Sequence, residues 1–395
     1  MSVAVERENH WPSLIAAALA AVVVGFASTI LVVMQAADAV HADESQKISW
    51  AAVLCFAMGG LTLLLSWRHK MPIIIAWSTP GAALLATSAS GFSYQAALGA
   101  FAVAGALSLA TGLIRPLARA IENLPTAIAS AMLAGVLVSY VLKVPAAAVA
   151  LPKLVVPLII AFFILRLWKP MWTIPVVVGL GLALAIASGV MAVDPSSLGL
   201  ASVVFDYPQF SWPAVISLGV PLYLVTMASQ NLPGFAVMRS AGYAPPVSSC
   251  LVVTGAASII MAPMAGPQVN MAAITASLAT GPDAHPDPAQ RWKVSFPYAA
   301  IYLVVGLAAG ACVKILGGLP HDLVIAIAGL ALFGPLLGAM AAMMKEPKDV
   351  EAAVVTFLVT ASGFSLLGIG AAFWGLVVGL ALWGVKHWRA KREIF

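Results

Sequence analysis

The stretch V-P-L-Y-L-V-T-M-A-S-Q-N-L-P-G-F-A-V-M-R-S-A-G-Y, residues 220–243, decides what kind of chain this is. It starts as an apolar helix, sets Gln230 beside Asn231 and then reads Leu232-Pro233-Gly234. Amides in hydrocarbon are costly unless paired, and Pro-Gly frees backbone groups that lipid cannot satisfy. The pattern predicts a helix that breaks inside the membrane beside a cavity, the arrangement that points to a transporter's binding site. A kinked packing helix whose amides bond a neighbour gives the same pattern, so the rest of the chain has to decide.

The chain has 395 residues, of which 62% are hydrophobic and only 9% charged. Apolar runs of about 20 residues recur from end to end, which defines an all-α polytopic membrane protein and excludes a soluble domain. The runs are continuous rather than alternating, which excludes a β-barrel. The net charge of +5 does not point to nucleic acid, because the basic residues sit in short loops where they set topology. Cys55, Cys250 and Cys312 lie in apolar runs and read as buried thiols. No metal-ligand cluster, phosphate-binding loop or nucleophile elbow is present, so no cofactor, metal or catalytic residue is expected and an enzyme is disfavoured. The first apolar run could imitate a signal peptide, but it is too long and is not preceded by a basic segment.

Fourteen hydrophobic segments can be drawn, at 13–36, 48–67, 73–87, 94–114, 125–142, 154–167, 174–193, 213–232, 246–264, 269–279, 296–316, 321–343, 350–367 and 371–387. The third, sixth and tenth are short for a bilayer core and read as half-helices or shielded segments. With both termini cytoplasmic, 16 of the 20 basic residues fall in inside loops and only Lys47, Lys143, Lys153 and Lys314 fall outside. That bias supports the count.

Several features recur at a nearly constant offset. Gln35 and Gln230, each read as ending a helix, are 195 residues apart, as are Pro125 and Pro320. Ser78-Thr79-Pro80-Gly81 is echoed by Ala265-Gly266-Pro267-Gln268 at an offset of 187. Two copies of a seven-helix unit, residues 1–206 and 207–395, are expected. An odd helix number inverts the second copy, as in secondary transporters.

The repeat gathers four breaks. Ser78 before Thr79-Pro80 suits a helix N-cap, and Gly266 before Pro267 is expected to do the same for the tenth segment. Two facing helix N-termini would hold an anion without any Lys or Arg. No charged residue lies in the middle of a segment, which disfavours a carboxylate-anchored nucleobase site. The acids Asp38 and Glu122 are the candidates for proton coupling, each also readable as an ordinary loop or helix-start acid. Candidate substrate ligands are Gln35, Ser78, Thr79, Gly81, Tyr223, Gln230, Asn231, Gly266, Gln268 and Asn270. Trp77, Phe92, Tyr223 and Phe235 could wall an aromatic ligand or simply pack.

The run Ser229-Gln230-Asn231-Leu232-Pro233-Gly234-Phe235, the Ser78-Thr79-Pro80-Gly81-Ala82 segment and the Ala-Gly-Pro-Gln-Val-Asn run from 265 resemble the BenE-type benzoate–proton symporter family. The resemblance covers essentially the whole chain. It implies a bacterial inner-membrane carrier that takes up benzoate with a proton. It also implies the seven-plus-seven inverted-repeat fold shared with UraA-type carriers. In that fold a core domain, here residues 13–114 and 213–316, moves against a gate domain, here 124–193 and 321–387. A short extended stretch precedes the third and tenth half-helices, with the substrate between them. The proton-carrying acid usual in uracil carriers has no match here. The expected partners are a small aromatic carboxylate, a proton and the lipid bilayer, with a homodimer as one possible assembly. A same-fold carrier of a nucleobase or inorganic anion, or an uncoupled channel, are the alternatives.

Overall fold

A computed structural model describes residues 10–27, 29–116, 119, 125–191, 199–264, 266–367 and 369–392. Helix dominates, because a long apolar run can satisfy its own backbone in no other open-ended way. Helix α1 (Trp11–Val22) leads through a wide π-turn at Val23–Ala27 towards α2 (Ile30–Ala39). Helix α3 (Glu44–His69) opens with a capping box, in which Asp43 accepts from the Gln46 N–H and Gln46 accepts from the Asp43 N–H. The Ser45 hydroxyl, donating to the Asp43 carboxylate, is the main cause of a pKa below the usual value. Strand β1 (Ile75–Trp77), α4 (Thr79–Ser88) and α5 (Tyr94–Leu113) follow. Next come α6 (Thr126–Val141), α7 (Lys143–Ala150), α8 (Pro152–Trp168) and α9 (Thr173–Ala187).

The second half begins with α10 (Trp212–Ser240), then α11 (Val247–Met261), β2 (Val269–Met271) and α12 (Ile274–Thr280). Helices α13 (Ser295–Leu307) and α14 (Ala309–Gly317) meet at a 59° bend. Helices α15 (His321–Met343) and α16 (Val350–Ala361), a hairpin of β3 (Ser365–Leu366) with β4 (Ile369–Gly370), and α17 (Ala371–Arg392) complete the chain. Packing is α3 on α13, α5 on α11, and α6 on both α15 and α16. Helix α8 buries Leu158 and Phe162 but exposes Ile160, Ile164 and Leu167, so it is apolar on both faces, as a lipid-facing helix must be. Among the described residues, six helices are long and apolar enough to cross a membrane, or seven if the bent pair counts as one span.

Three expectations change. The helix that carries Gln230 and Asn231 does not break at Pro233. It passes through a π-turn at Met227–Asn231, where the Leu232 N–H bonds the Met227 carbonyl five residues back. A proline removes one helical bond and clashes with the carbonyl four residues earlier; the extra residue in the preceding turn absorbs this without interruption. Residues 73–87 and 269–279 each divide into a strand and a short helix, in keeping with the extended stretch that the family resemblance implies. Gly266 therefore caps no helix: α12 starts only after Ala273, and no side chain caps it. Pro80 follows β1 whereas Pro267 precedes β2, so the motif match at 187 was out of register. The strands themselves are 194 residues apart.

β1 and β2 pair antiparallel, with Ile75 opposite Met271, Ala76 opposite Asn270 and Trp77 opposite Val269. A two-stranded sheet has two open edges, and hydrocarbon offers them nothing. Side chains of the flanking helices close both. On β1, the Ile75 N–H donates to Thr62 of α3 at 2.9 Å and the Ile75 carbonyl accepts from the Tyr298 hydroxyl of α13 at 2.9 Å. On β2, the Val269 N–H donates to Ser258 of α11 at 3.2 Å and the Met271 N–H donates to Asn231 Oδ1 of α10 at 2.9 Å. Gly234 lets α10 approach this closely, since a Cβ there would lie 2.7 Å from the Ala272 carbonyl oxygen. Replacing Asn231 by Ala leaves a buried N–H unpaired, and the expected cost is about 1–3 kcal/mol. A thermal melt of N231A in detergent checks this; an unchanged midpoint would refute the role.

Candidate functional site

Beyond the sheet, both strands end at helix starts that open on one small cavity. Ser78 caps α4, accepting from the Gly81 N–H at 3.1 Å and from the Thr226 hydroxyl of α10 at 2.8 Å. Thr79 follows at the first turn and faces the cavity, as do Ala273 and Thr275 at the start of α12. Gln230 reaches it from the π-turn of α10, and Gly25 and Thr29 from the break after α1. The enclosed space is about 80 Å³. Trp77 forms an aromatic wall; its ring lies 5.7 Å from that of Phe26, and its indole N–H donates to the Thr29 hydroxyl at 2.7 Å. Tyr298 and Tyr302 close the back.

The predicted ligands separate into two groups. Thr79 and Gln230 line the cavity, and neither side chain has a hydrogen-bond partner among the described residues. The others do not line it. Ser78 is committed to the cap and to Thr226, and Asn231 to the sheet edge. Gly81 sits where α4 and α10 touch, since a Cβ there would lie 2.5 Å from Leu222. The Tyr223 hydroxyl is bonded to Thr111 of α5. Gly266 packs against the buried Trp50 ring. Gln268 is 1% exposed and donates its amide to Ser108 of α5 at 3.1 Å, while Asn270 is fully buried and donates to the Met271 carbonyl. Gln35 is buried in the middle of α2 rather than at a helix end, with neither amide atom paired.

Of the aromatic candidates, only Trp77 faces the cavity; Phe92 lines a separate crevice and Phe235 is buried. Asp38 pairs with Lys47 and lines a different cavity of about 590 Å³, together with Glu44, Lys314 and His321. Glu122 lies outside the described residues. Thr29 and Thr275 went unnoticed in the sequence. The available signal was a small polar residue inside an apolar run, and many such residues only bond their own helix.

The inner cavity opens into a vestibule of about 620 Å³. Thr29, Thr79 and Gln230 line it on one side; residues of α6, α8, α9 and α15, including Ser130, Phe162, Arg166 and Gly334, line it on the other. The joined space can admit a small molecule and offer it hydroxyls, an amide and the positive end of α4, inside largely apolar walls.

This architecture is that of known membrane anion carriers. It matches the transmembrane domain of the cyanobacterial bicarbonate transporter BicA with a TM-score of 0.62 at 14% identity, covering 94% of this chain and 98% of that one. It matches murine Solute Carrier 26 family member A9, an anion transporter in its inward-facing state, with a TM-score of 0.62 at 11% identity over 98% of this chain and 69% of that one. The chain thus has the fold of these carriers. By sequence it belongs to the benzoate membrane transport protein family, whose model matches residues 8–385, and this family membership makes it a multi-pass membrane transporter rather than an enzyme. It is 36% identical to the inner membrane protein YdcO of Escherichia coli (strain K12) over 97% of both chains. It is 31% identical to the benzoate membrane transport protein of Acinetobacter baylyi (strain ATCC 33305 / BD413 / ADP1) over 91% of both.

Gln230 and Gln268 should behave differently. Truncating Gln230 removes no bond within the protein, so Q230A is expected to shift stability by less than about 0.5 kcal/mol while cutting transport at least about tenfold. Q268A is expected to lower the melting midpoint instead. Thermal melts and uptake assays on both variants check this, and a Q230A protein with wild-type uptake would remove Gln230 from the site.

Proposed function

We propose that the protein imports benzoate or a similar aromatic carboxylate together with a proton, by alternating access, across the bacterial inner membrane. The observation that carries this is membership of the benzoate transport family combined with a cavity that pairs uncommitted Thr79 and Gln230 with a Trp77 wall. The carboxylate would take hydrogen bonds from Gln230, Thr79 and the first turn of α4, while the Thr29 hydroxyl donates to the Gly25 carbonyl and holds the Trp77 indole. The ring would lie along Trp77 and the alanine surface at Ala272 and Ala273. Ser78, Gly81, Tyr223, Asn231, Gly266, Gln268 and Asn270 would hold the frame around it.

In this reading the chain makes fourteen passes as two inverted repeats, with α4 and α12 as half-helices. Antiparallel pairing of β1 with β2 at an offset of 194 supports it, since inverted copies meet head to tail. Residues 13–114 and 213–316 form the core, and 124–193 and 321–387 the gate. The vestibule runs between them and carries Arg166 at its wall. The positive-inside bias of the loops supports a cytoplasmic position for Arg166, with both termini inside and an inward-facing conformation.

An anion entering alone opposes an inside-negative potential by about 2.3 kcal/mol per 100 mV, and a co-transported proton cancels that cost. Asp38 and Glu122 remain the candidate proton carriers. Labelled benzoate uptake into proteoliposomes under an inward proton gradient is expected to be saturable, to exceed the leak into empty liposomes and to collapse with a protonophore. Uptake equal to the empty liposomes overturns the substrate, and saturable uptake of labelled bicarbonate or uracil then identifies the alternative. Saturable uptake indifferent to protonophore overturns the coupling.

A further inference from the structure

We propose that Arg166 is a second docking station for the transported anion, on the vestibule wall formed by α8 and α15. This deepens the benzoate reading and rests on it. Arg166 lies in the last turn of α8 and shares the vestibule with Thr79 and Gln230. Its guanidinium sits 5.8 Å from the Phe162 ring centroid and 5.3 Å from that of Phe333. Phe162, Phe163 and Phe333 themselves form an edge-to-face cluster with centroids 5.2, 5.8 and 5.9 Å apart. This is an arginine laid on an aromatic shelf.

Its charge has no counter-ion among the described residues. Lys47, Lys314 and Lys386 pair with Asp38, Glu44 and Glu351. Arg291 is buried and donates to the carbonyls of Thr280, His285 and Pro286. Arg166 has neither a carboxylate nor a carbonyl partner among the described residues. A guanidinium is weakly hydrated, and its planar fork fits both oxygens of a carboxylate. The low-dielectric surroundings of the vestibule strengthen that attraction relative to bulk water. A carboxylate bound there would place an attached ring against Phe162, the member of the cluster that lines the vestibule, which matches the chemistry of an aromatic acid. The anion would therefore pass between two positive groups, the N-terminus of α4 and Arg166, before reaching water.

An arginine in the last turn of a helix can also serve only the helix dipole and the membrane topology. The experiment separates these roles. Benzoate exchange is measured in proteoliposomes from each membrane face, over a range of salt, for wild type, R166Q and R166K. R166Q is expected to raise the half-saturating benzoate concentration by roughly tenfold at the face onto which the vestibule opens, the scale of one lost charge-assisted hydrogen bond. At the other face the change should stay below about twofold, and the salt dependence of the affected face should flatten. R166K, which keeps the charge without the fork, should retain the salt dependence with an intermediate half-saturation. If R166Q does not fold, a one-sided rise in R166K carries the test alone. Unchanged half-saturation at both faces, or an equal slowing at both faces without a change in half-saturation, overturns the station. A wild-type protein with no saturable benzoate exchange overturns the parent reading, and this site falls with it.

Discussion

Backbone polar groups cannot be left open in hydrocarbon, and the centre of this protein is organised by that constraint. Two three-residue strands lie among long apolar helices, where each open edge would otherwise face nothing able to bond it. Thr62, Tyr298, Ser258 and Asn231 close those edges from four different helices. The sheet is thereby tied to α3, α13, α11 and α10 at once. The starts of α4 and α12 and the π-turn of α10 are all positioned relative to it. Without the sheet, there would be no reason for the first turn of α4, the first turn of α12 and Gln230 to face one cavity.

The constraint also explains why the polar residues divide as they do. Asn231 and Gln230 are neighbours in sequence, but on a helix adjacent residues point about 100° apart. One therefore reaches the strand while the other reaches the cavity. The same division separates Ser78, whose hydroxyl caps α4 and accepts from Thr226, from Thr79 beside it, which is uncommitted. Asn231, Gln268 and Asn270 are buried and each makes at least one hydrogen bond, whereas Gln230, which faces the cavity, is half-exposed and unpaired among the described residues. The buried, partly unsatisfied atoms of Gln35, Gln268 and Asn270 lie away from this cavity.

The apolar vestibule continues the logic at larger scale. Its walls come from elements distant in sequence, the break after α1 with α4, α10 and α12 on one side and α6, α8, α9 and α15 on the other. Small residues such as Gly334 and Gly338 keep α15 thin where it faces the open space. Arg166 is the one charged group among the described residues lining it. In a membrane carrier a small ion must be attracted without being trapped, and hydroxyls, amides and helix ends supply attraction with less desolvation cost than a buried ion pair would.

Much of this was legible in the chain itself. Apolar runs determined the membrane class, because backbone satisfaction in lipid leaves few solutions. The positions of most helices followed, as did the special character of residues 78–81, 230–234 and 265–270, where polar or helix-breaking residues interrupt those runs. The Q-N-L-P-G-F run also carried the family. What the tertiary structure alone decided was the partner of each polar group. A proline at 233 is compatible with a break or with a π-turn, and only the neighbouring helices select between them. A proline at 267 is compatible with a helix start or with the approach to a strand, and pairing with β1 selects the strand. Thr29, Thr275 and Arg166 gain their meaning from cavities assembled across the whole length of the chain. A linear pattern reports that a polar group needs a partner; which partner it finds depends on distances that exist only once the helices have packed.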